Sequence, residues 1–580
     1  MRSIIELRSE GLRPLKSPSS PGRLAALLHR AKIDPVVGSA GANSGVARGL
    51  HGAEFLFLFA AAICLYLFWH RVVVGIPISF WAFPWDWPVM SLAQGVNIDF
   101  WMREPGSRAL SQAQFYQPGL WFQFASFAIY RATSGSGSPR ELFDAVLQDP
   151  QSFWNVYQAM PMVLTLVGLI LLWRHARHLP SLARCAVVGC YFVSLASLQY
   201  GTYEFFNESF TLPLAAIFFP LAVSMLAQDQ RRPHLKALLC GLAGSGLYLH
   251  KMNYVVWPAA LIPALLAAAW AQRLSWKDAV GRSVLLVAGL ALGVGVFGFL
   301  LLSREGLMLM LESHKAIFIG SGVYGTGGKT VVSLSVLLKN LAALWEADRW
   351  ILVFLAACTG LALWRIGRQW RDTVWLRRYL PEAIFVFGAA ILMLVAVLKH
   401  FQPYYVVSFV AVYPFLLIWL TQAGVRSAAI VALLLTAIGL AAAVPSALAQ
   451  KQNFAAADMR NKADREIILA RGLQPGRSRL WMYRSIDPIC GRLFLVSFSG
   501  VYSLMKDTIE MQGQQLLLSP WHGSIIDQTG HYADMKDVPW QSIVVDKDSI
   551  DWIDKTAHPW FTDPAVTRTD LSQVVLFERK

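Results

Sequence analysis

Residues 76–124 read IPISFWAFPWDWPVMSLAQGVNIDFWMREPGSRALSQAQFYQPGLWFQF. The stretch follows the first apolar run and is too polar, and too broken by Pro and Gly, to cross a membrane. It is nonetheless dense in Trp and Phe, and it carries three acids, Asp86, Asp99 and Glu104. Aromatic anchors beside sparse carboxylates describe a loop held at a membrane surface, either as scaffold or as the lip of a site. The neighbouring segments decide which.

Those neighbours are apolar. Of the 580 residues 55% are hydrophobic and only 15% charged, with a mean hydropathy of +0.45, whereas soluble domains carry about 25% charged residues. The chain therefore reads as a polytopic α-helical membrane protein. Apolar runs fall near 54–70, 156–173, 183–199, 210–227, 236–250, 252–270, 283–302, 350–366, 381–398, 403–420 and 427–448, about eleven spans in all. The region 236–270 reads alternatively as one re-entrant pair.

Charge orients these spans. With residues 1–50 as a basic cytoplasmic tail, every second loop is short and basic: Arg174, Arg177 and Arg184; Arg231, Arg232 and Lys236; Arg273, Lys277 and Arg282; Arg365 to Arg378; and Arg426. That is the positive-inside pattern. The formal charge of +15 is thereby assigned to membrane orientation, and no nucleic acid is expected. The tail is too long before its first apolar run for a cleavable signal. The transmembrane part is read as 51–448, with external loops 71–155 and 303–349. A small mixed α/β extracytoplasmic domain follows at 449–580. It is expected to hold a helix over 453–470 and strands near 492–499, 514–519, 542–545 and 573–577. The six cysteines, Cys64, Cys185, Cys190, Cys240, Cys358 and Cys490, lack metal-ligand spacing and read as small apolar residues.

Ionisable residues at membrane depth are costly unless they meet water, a partner or a ligand. Four groups gather on the expected outer side. They are Asp86 with Asp99 and Glu104; Glu204 and Glu208 in YGTYEFFNES; His250, Lys251 and Asn253 in LHKMNY; and His314 and Lys315 with Lys399, His400, Tyr404 and Tyr405. Acids from two loops and bases from others suit a reaction in which an acid deprotonates a hydroxyl while cations hold a phosphate leaving group. The carboxylates can alternatively hold a divalent ion. The plainer readings are that the basic residues snorkel to headgroups and that Glu204 and Glu208 cap the next helix. The glycines of FIGSGVYGTGG (318–328) match no nucleotide-binding fingerprint.

The sequence resembles the GT-C superfamily of multispanning glycosyltransferases, which use polyprenyl-phosphate-linked sugars, and within it the aminoarabinose transferase and protein mannosyltransferase branch. The resemblance covers roughly 54–448. It rests on Asp86 in the first external loop, on YQPGLWFQF where Gln117, Pro118, Gly119 and Leu120 occupy a His-Pro-Pro-Leu-like motif, on Lys251 to Tyr254, and on the turn from Lys399 to Tyr405. Departures are Gln117 for His, Gly119 for the second Pro, and a lone Asp86 where paired acids are usual. The resemblance implies an inverting transfer to a glycan, lipid or protein acceptor at the periplasmic face of a bacterial inner membrane. Asp86 would act as base or, with Glu204, as ligand of a Mg or Mn ion; Asp99, Glu204 or Glu208 would be the second acid. Gln117, His250, Lys251, Asn253, Tyr254, His314, Lys315, Lys399, His400, Tyr404 and Tyr405 would bind substrate. The rival readings are a transporter or flippase of a lipid-linked substrate, and a membrane scaffold.

Overall fold

In the computed structural model, the described residues are 119–135, 149–203, 207–227, 232–320, 333–472, the C-terminal strands within 479–579 and scattered positions within 59–145. Contacts divide the chain into Met1–Phe55 and Leu56–Lys580; the first unit, and with it most of the expected span 54–70, lies outside the described residues.

Thirteen helices organise the described part. They are α1 Leu120–Ser134, α2 Pro150–His175, α3 Ser181–Gly189, α4 Leu195–Leu198, α5 Thr211–Ser224, α6 Pro233–His250, α7 Val256–Trp270, α8 Trp276–Ile319, α9 Leu334–Gln369, α10 Thr373–Lys399, α11 Val406–Val410, α12 Tyr413–Gln422 and α13 Ser427–Gly472. Short polar residues set several starts. Asp149 accepts the N–H of Ser152 at 3.1 Å, Ser275 that of Asp278 at 3.0 Å, and Asp372 that of Trp375 at 3.0 Å.

Seven segments among the described residues are long and apolar enough to cross a membrane, or eight if Ser181–Val193 and Leu195–Gly201, bent by 90°, form one broken span. The chain is thus a multi-pass membrane protein, but the expected count of eleven is not reached among these residues. The expected span 210–227 is a shorter apolar helix, Glu208–Ser224. The expected span 236–250 is α6, whose buried glycines let it approach a neighbouring helix closely. A methyl built on Gly241 would lie 2.2 Å from the Leu286 carbonyl oxygen, and one on Gly289 2.4 Å from that of Leu238. Helices α6 and α8 therefore touch backbone to backbone, as small residues permit in membranes.

The core sits around α12, which is apolar on all sides and enclosed from Tyr413 to Leu420. Phe219 stacks on Phe415 at 4.4 Å and Phe354 on Tyr413 at 4.5 Å. Helix α9 breaks at Asp348 (φ −159°, ψ 71°). Its carboxylate there accepts the Ser194 hydroxyl at 2.7 Å and the Leu195 N–H at 2.8 Å, so a kink in one helix caps the break in another.

Two helices outrun the membrane. Helix α8 has 44 residues, about 66 Å at 1.5 Å per residue, against a hydrocarbon core of ~30 Å. Helix α13 carries its apolar run only over Ser427–Ala449 and continues to Gly472, taking in the expected helix 453–470. Beyond it lies a seven-stranded sheet in the order β4-β3-β2-β1-β5-β7-β6. The strands are β1 Arg479–Met482, β2 Leu516–Ser519, β3 Ser524–Ile526, β4 Tyr532–Asp534, β5 Ser542–Asp546, β6 Val566–Asp570 and β7 Val574–Arg579. β1 runs parallel to β2 and β5, and the outer pairs are antiparallel. The expected strands at 514–519, 542–545 and 573–577 correspond to β2, β5 and β7; the one at 492–499 lies outside the described residues. Asp464 of α13 accepts the Ser572 N–H at 2.9 Å, tying helix to sheet.

Candidate functional site

Four interruptions of regular helix meet at one end of the bundle. They are the π-helical turn Gln199–Tyr203 and the 3-10 turns Asn207–Phe210, Met252–Val255 and Pro403–Tyr405. The last two follow residues in extended conformation, Lys251 (φ −155°) and Gln402 (φ −136°). In an apolar bundle such backbone persists only where it is buried in protein or lines a cavity. Here it surrounds a charge pair. Lys251 Nζ donates to Glu208 Oε1, and each side chain is no more than 2% exposed.

Aromatic rings close the pair in. Lys251 Nζ lies 4.1 Å from the Tyr405 ring centroid and 5.4 Å from that of Tyr404. Tyr404 meets Tyr405 edge-on at 4.6 Å and Tyr200 at 5.9 Å. On the other side Tyr254 stacks on Trp257 at 4.9 Å, and its hydroxyl hydrogen-bonds the Thr211 hydroxyl. His250 is buried edge-on against Phe210 at 5.4 Å. Its carbonyl accepts the N–H of Gly119 at 3.0 Å, which seats the aromatic helix α1 on this turn.

The π-helical turn is held by close approach. Thr165 Oγ1 donates to the Gly201 carbonyl at 2.9 Å, and a methyl on Gly201 would lie 2.2 Å from the Tyr191 hydroxyl. Tyr191, Tyr200, Gly201 and Thr211 were not among the expected site residues. For Tyr200 and Gly201 the sequence signal is the run QYGTY interrupting an apolar segment; Tyr191 and Thr211 lie outside that run.

Other expected residues occupy separate places. Lys399 Nζ donates to the carbonyls of Ile317, at 2.9 Å, and Phe318, so it caps the C-terminal end of α8. His400 Nε2 lies 3.4 Å from the same Ile317 oxygen. His314 Nδ1 and the Tyr248 hydroxyl are 2.7 Å apart, joining α8 to α6. Lys315 is exposed and Asn253 half-buried.

Asp99 is fully buried against Arg131, whose Nε donates to it at 2.8 Å, with Arg103 at 3.4 Å. Burial pushes its carboxyl up, against the lowering pull of Arg103. Asp86, Gln117 and Glu204 lie outside the described residues, as does Glu104.

Among the described residues no three His, Cys, Asp or Glu side chains group as a metal site. Of the expected site carboxylates the two that are described, Glu208 and Asp99, each face a cation of the protein, which is the reverse of the free oxygens that a Mg or Mn ion requires.

No protein-family model matches the chain, and no curated protein matches it. Among solved structures, ArnT from Cupriavidus metallidurans bound to undecaprenyl phosphate superposes with a TM-score of 0.50 at 12% identity, over 90% of this chain and 98% of that one. The same protein in its apo state gives 0.36 at 12% identity, over 91% of this chain and 98% of that one. The chain has a GT-C-like fold.

Proposed function

We propose that the protein is a membrane glycosyltransferase that moves a sugar from a polyprenyl-phosphate donor to an acceptor outside the cytoplasm. The observation that carries the reading is the convergence of four helix breaks on the buried Glu208–Lys251 pair in a GT-C-like bundle. The likeness to a structure holding undecaprenyl phosphate supports a polyprenyl-phosphate donor.

Orientation follows from charge. The turns at the other end carry Arg174, Arg273, Lys277, Arg368, Arg371 and Arg426, which the positive-inside rule assigns to the cytoplasm. The Glu208–Lys251 end then faces the periplasm of a bacterial inner membrane, with the C-terminal sheet, while the N-terminal tail is cytoplasmic.

In this reading Asp86 takes the proton of the acceptor hydroxyl as its oxygen attacks the anomeric carbon. The bond to the lipid phosphate breaks on the opposite face, with inversion, and the phosphate leaves with the bonding electrons. Glu204 or Glu208 is the second acid, and Asp99 is assigned to Arg131 instead. Lys251, His314, Lys315, Lys399 and His400 supply the cationic side on which the phosphate charge develops. A Mg or Mn ion would belong to Asp86 and Glu204. The acceptor is a glycan, lipid or protein.

The test is incubation of the purified protein with a radiolabelled polyprenyl-phosphate sugar and an envelope fraction as acceptor. Asp86→Asn is expected to abolish transfer while leaving expression and folding intact; full activity in that variant sinks the role of Asp86. One observation favours a second reading. Discontinuous helices such as Ser181–Val193 with Leu195–Gly201 also form transporter sites. Donor lipid crossing a vesicle membrane with no sugar released would select that reading.

A further inference from the structure

The opposite end of the bundle carries a feature that the transfer reaction does not use. Three of its turns are clipped together by arginines. Arg273 Nη1 donates to the Arg378 carbonyl at 2.8 Å and to Glu382 at 3.0 Å, Arg377 donates to Gln272 Oε1, and Arg365 Nε donates to the Ala423 carbonyl at 2.6 Å. These guanidinium groups are engaged inside the protein. The acids nearby are engaged too, Asp372 as the cap of α10 and Asp278 by Ser275 at 2.7 Å.

Arg368 and Arg371 differ. Both are exposed, at the end of α9 and in the turn after it, and among the described residues neither forms an ion pair with a carboxylate. Each is laid on an exposed indole. The Arg368 guanidinium sits 5.2 Å from the Trp364 ring centroid, and that of Arg371 5.0 Å from the Trp370 ring. A guanidinium held over a ring by its central carbon uses none of its N–H donors on the ring, and its planar fork matches two oxygens of a phosphate.

The neighbourhood fixes what kind of phosphate. Leu363 is 65% and Val374 75% exposed, apolar side chains whose natural surroundings are acyl chains. Exposed Trp364 and Trp370 belong at the level of the headgroups. A cation held beside them meets the headgroup layer.

We propose that the turn from α9 to α10 is a seat for an anionic phospholipid of the cytoplasmic leaflet, with Arg368 and Arg371 gripping its phosphate and Trp364 and Trp370 flanking the headgroup. The seat would couple the arginine-clipped end of the bundle to lipid composition, whatever the chemistry at the far end.

The test uses the full chain in nanodiscs containing phosphatidylglycerol and phosphatidylcholine with the same acyl chains, released into native mass spectrometry. The wild type is expected to retain phosphatidylglycerol over phosphatidylcholine by about tenfold, a modest difference in binding free energy. Arg368→Lys with Arg371→Lys keeps the charge, and with it the membrane orientation, but removes the planar fork. It is expected to reduce the preference to about twofold or less. Trp364→Leu with Trp370→Leu is expected to weaken it as well, with the thermal midpoint reporting that each variant is folded. Equal retention of the two lipids by the wild type overturns the proposal, as does an undiminished preference in the double lysine variant. Loss of the wild-type preference to millimolar inorganic phosphate would mean that the forks bind free phosphate rather than lipid, and would overturn it too.

Discussion

Gly119 donates its backbone N–H to the carbonyl of His250 at 3.0 Å while holding a φ of 58°. The contact joins the start of α1 to the end of α6, one residue before Lys251. Proline at this position, which the GT-C resemblance would favour, fails twice, because its φ is fixed near −65° and it has no N–H. Gly119→Pro should therefore undock α1, lowering the thermal midpoint and the transfer rate together. Gly119→Ala keeps the donor and bears only the left-handed backbone, about 1–2 kcal/mol, so it should be the milder variant. Equal effects of Pro and Ala would show that the hydrogen bond does not matter.

Glu208 and Lys251 should behave as a unit. Removing one partner of a buried ion pair leaves an uncompensated charge and costs about 3–5 kcal/mol, whereas replacing both with groups of similar shape is often close to neutral. Glu208→Gln and Lys251→Met are each expected to unfold at distinctly lower temperature than the wild type, and the double variant to recover most of the loss. Transfer assays on the same three proteins separate support from chemistry. If the pair only positions Tyr404 and Tyr405, activity returns with stability. If Glu208 is the second acid, the double variant is stable and inactive. Additive losses of stability would contradict the pairing itself.

The contrast between these two sites shows how far the sequence could be read. Lys251, Tyr404 and Tyr405 stood out because polar groups at the ends of apolar runs demand a reason. The pairing of Lys251 with Glu208 answers that demand, since a buried charge needs an opposite one. The contacts of Lys399 did not follow. Its apparent kinship with Lys251 rested on both lying at span ends, and only the fold shows that the C-terminal carbonyls of α8 receive its ammonium. The count of eleven spans is not reached among the described residues for a related reason. Glycine-rich α6 is held by backbone packing and the 90° bend at Ser194 by capping from Asp348, features that an apolar average does not register. That carboxylate acts on a residue 154 positions away, and hydropathy windows are blind to such distance.

Gly201 and Tyr191 make a sharper test of the π-helical turn. A methyl on Gly201 would lie 2.2 Å from the Tyr191 hydroxyl and 3.3 Å from the ring carbon that bears it. Gly201→Ala is therefore expected to force the turn out of place, with loss of stability on the scale of overpacking, about 1–3 kcal/mol. Tyr191→Phe removes the clashing oxygen and leaves the ring. The hydroxyl has no hydrogen-bond partner among the described residues, so this change alone should be nearly silent. Combined, the two substitutions should recover most of the thermal midpoint lost by Gly201→Ala. A double variant as unstable as the alanine variant would refute the geometry.

His400 gives the site end a pH dependence of known sign. Burial holds its imidazole below the ordinary value of 6.5; the hydrogen bond to Ile317 pulls the other way, and the charge of neighbouring Lys399 lowers it further. Because the folded state binds this proton more weakly than the unfolded chain does, stability is greatest above 6.5 and falls as the pH drops from there towards the folded-state value. His400→Gln keeps a polar side chain and cannot titrate. Unfolding midpoints of the two proteins, compared between about pH 8 and about pH 5, should separate by a constant at the alkaline end. They should converge as the solution is acidified, the wild type losing stability faster. Parallel curves would mean that the proton is bound equally in both states, and that burial at the end of α10 does not reach the imidazole.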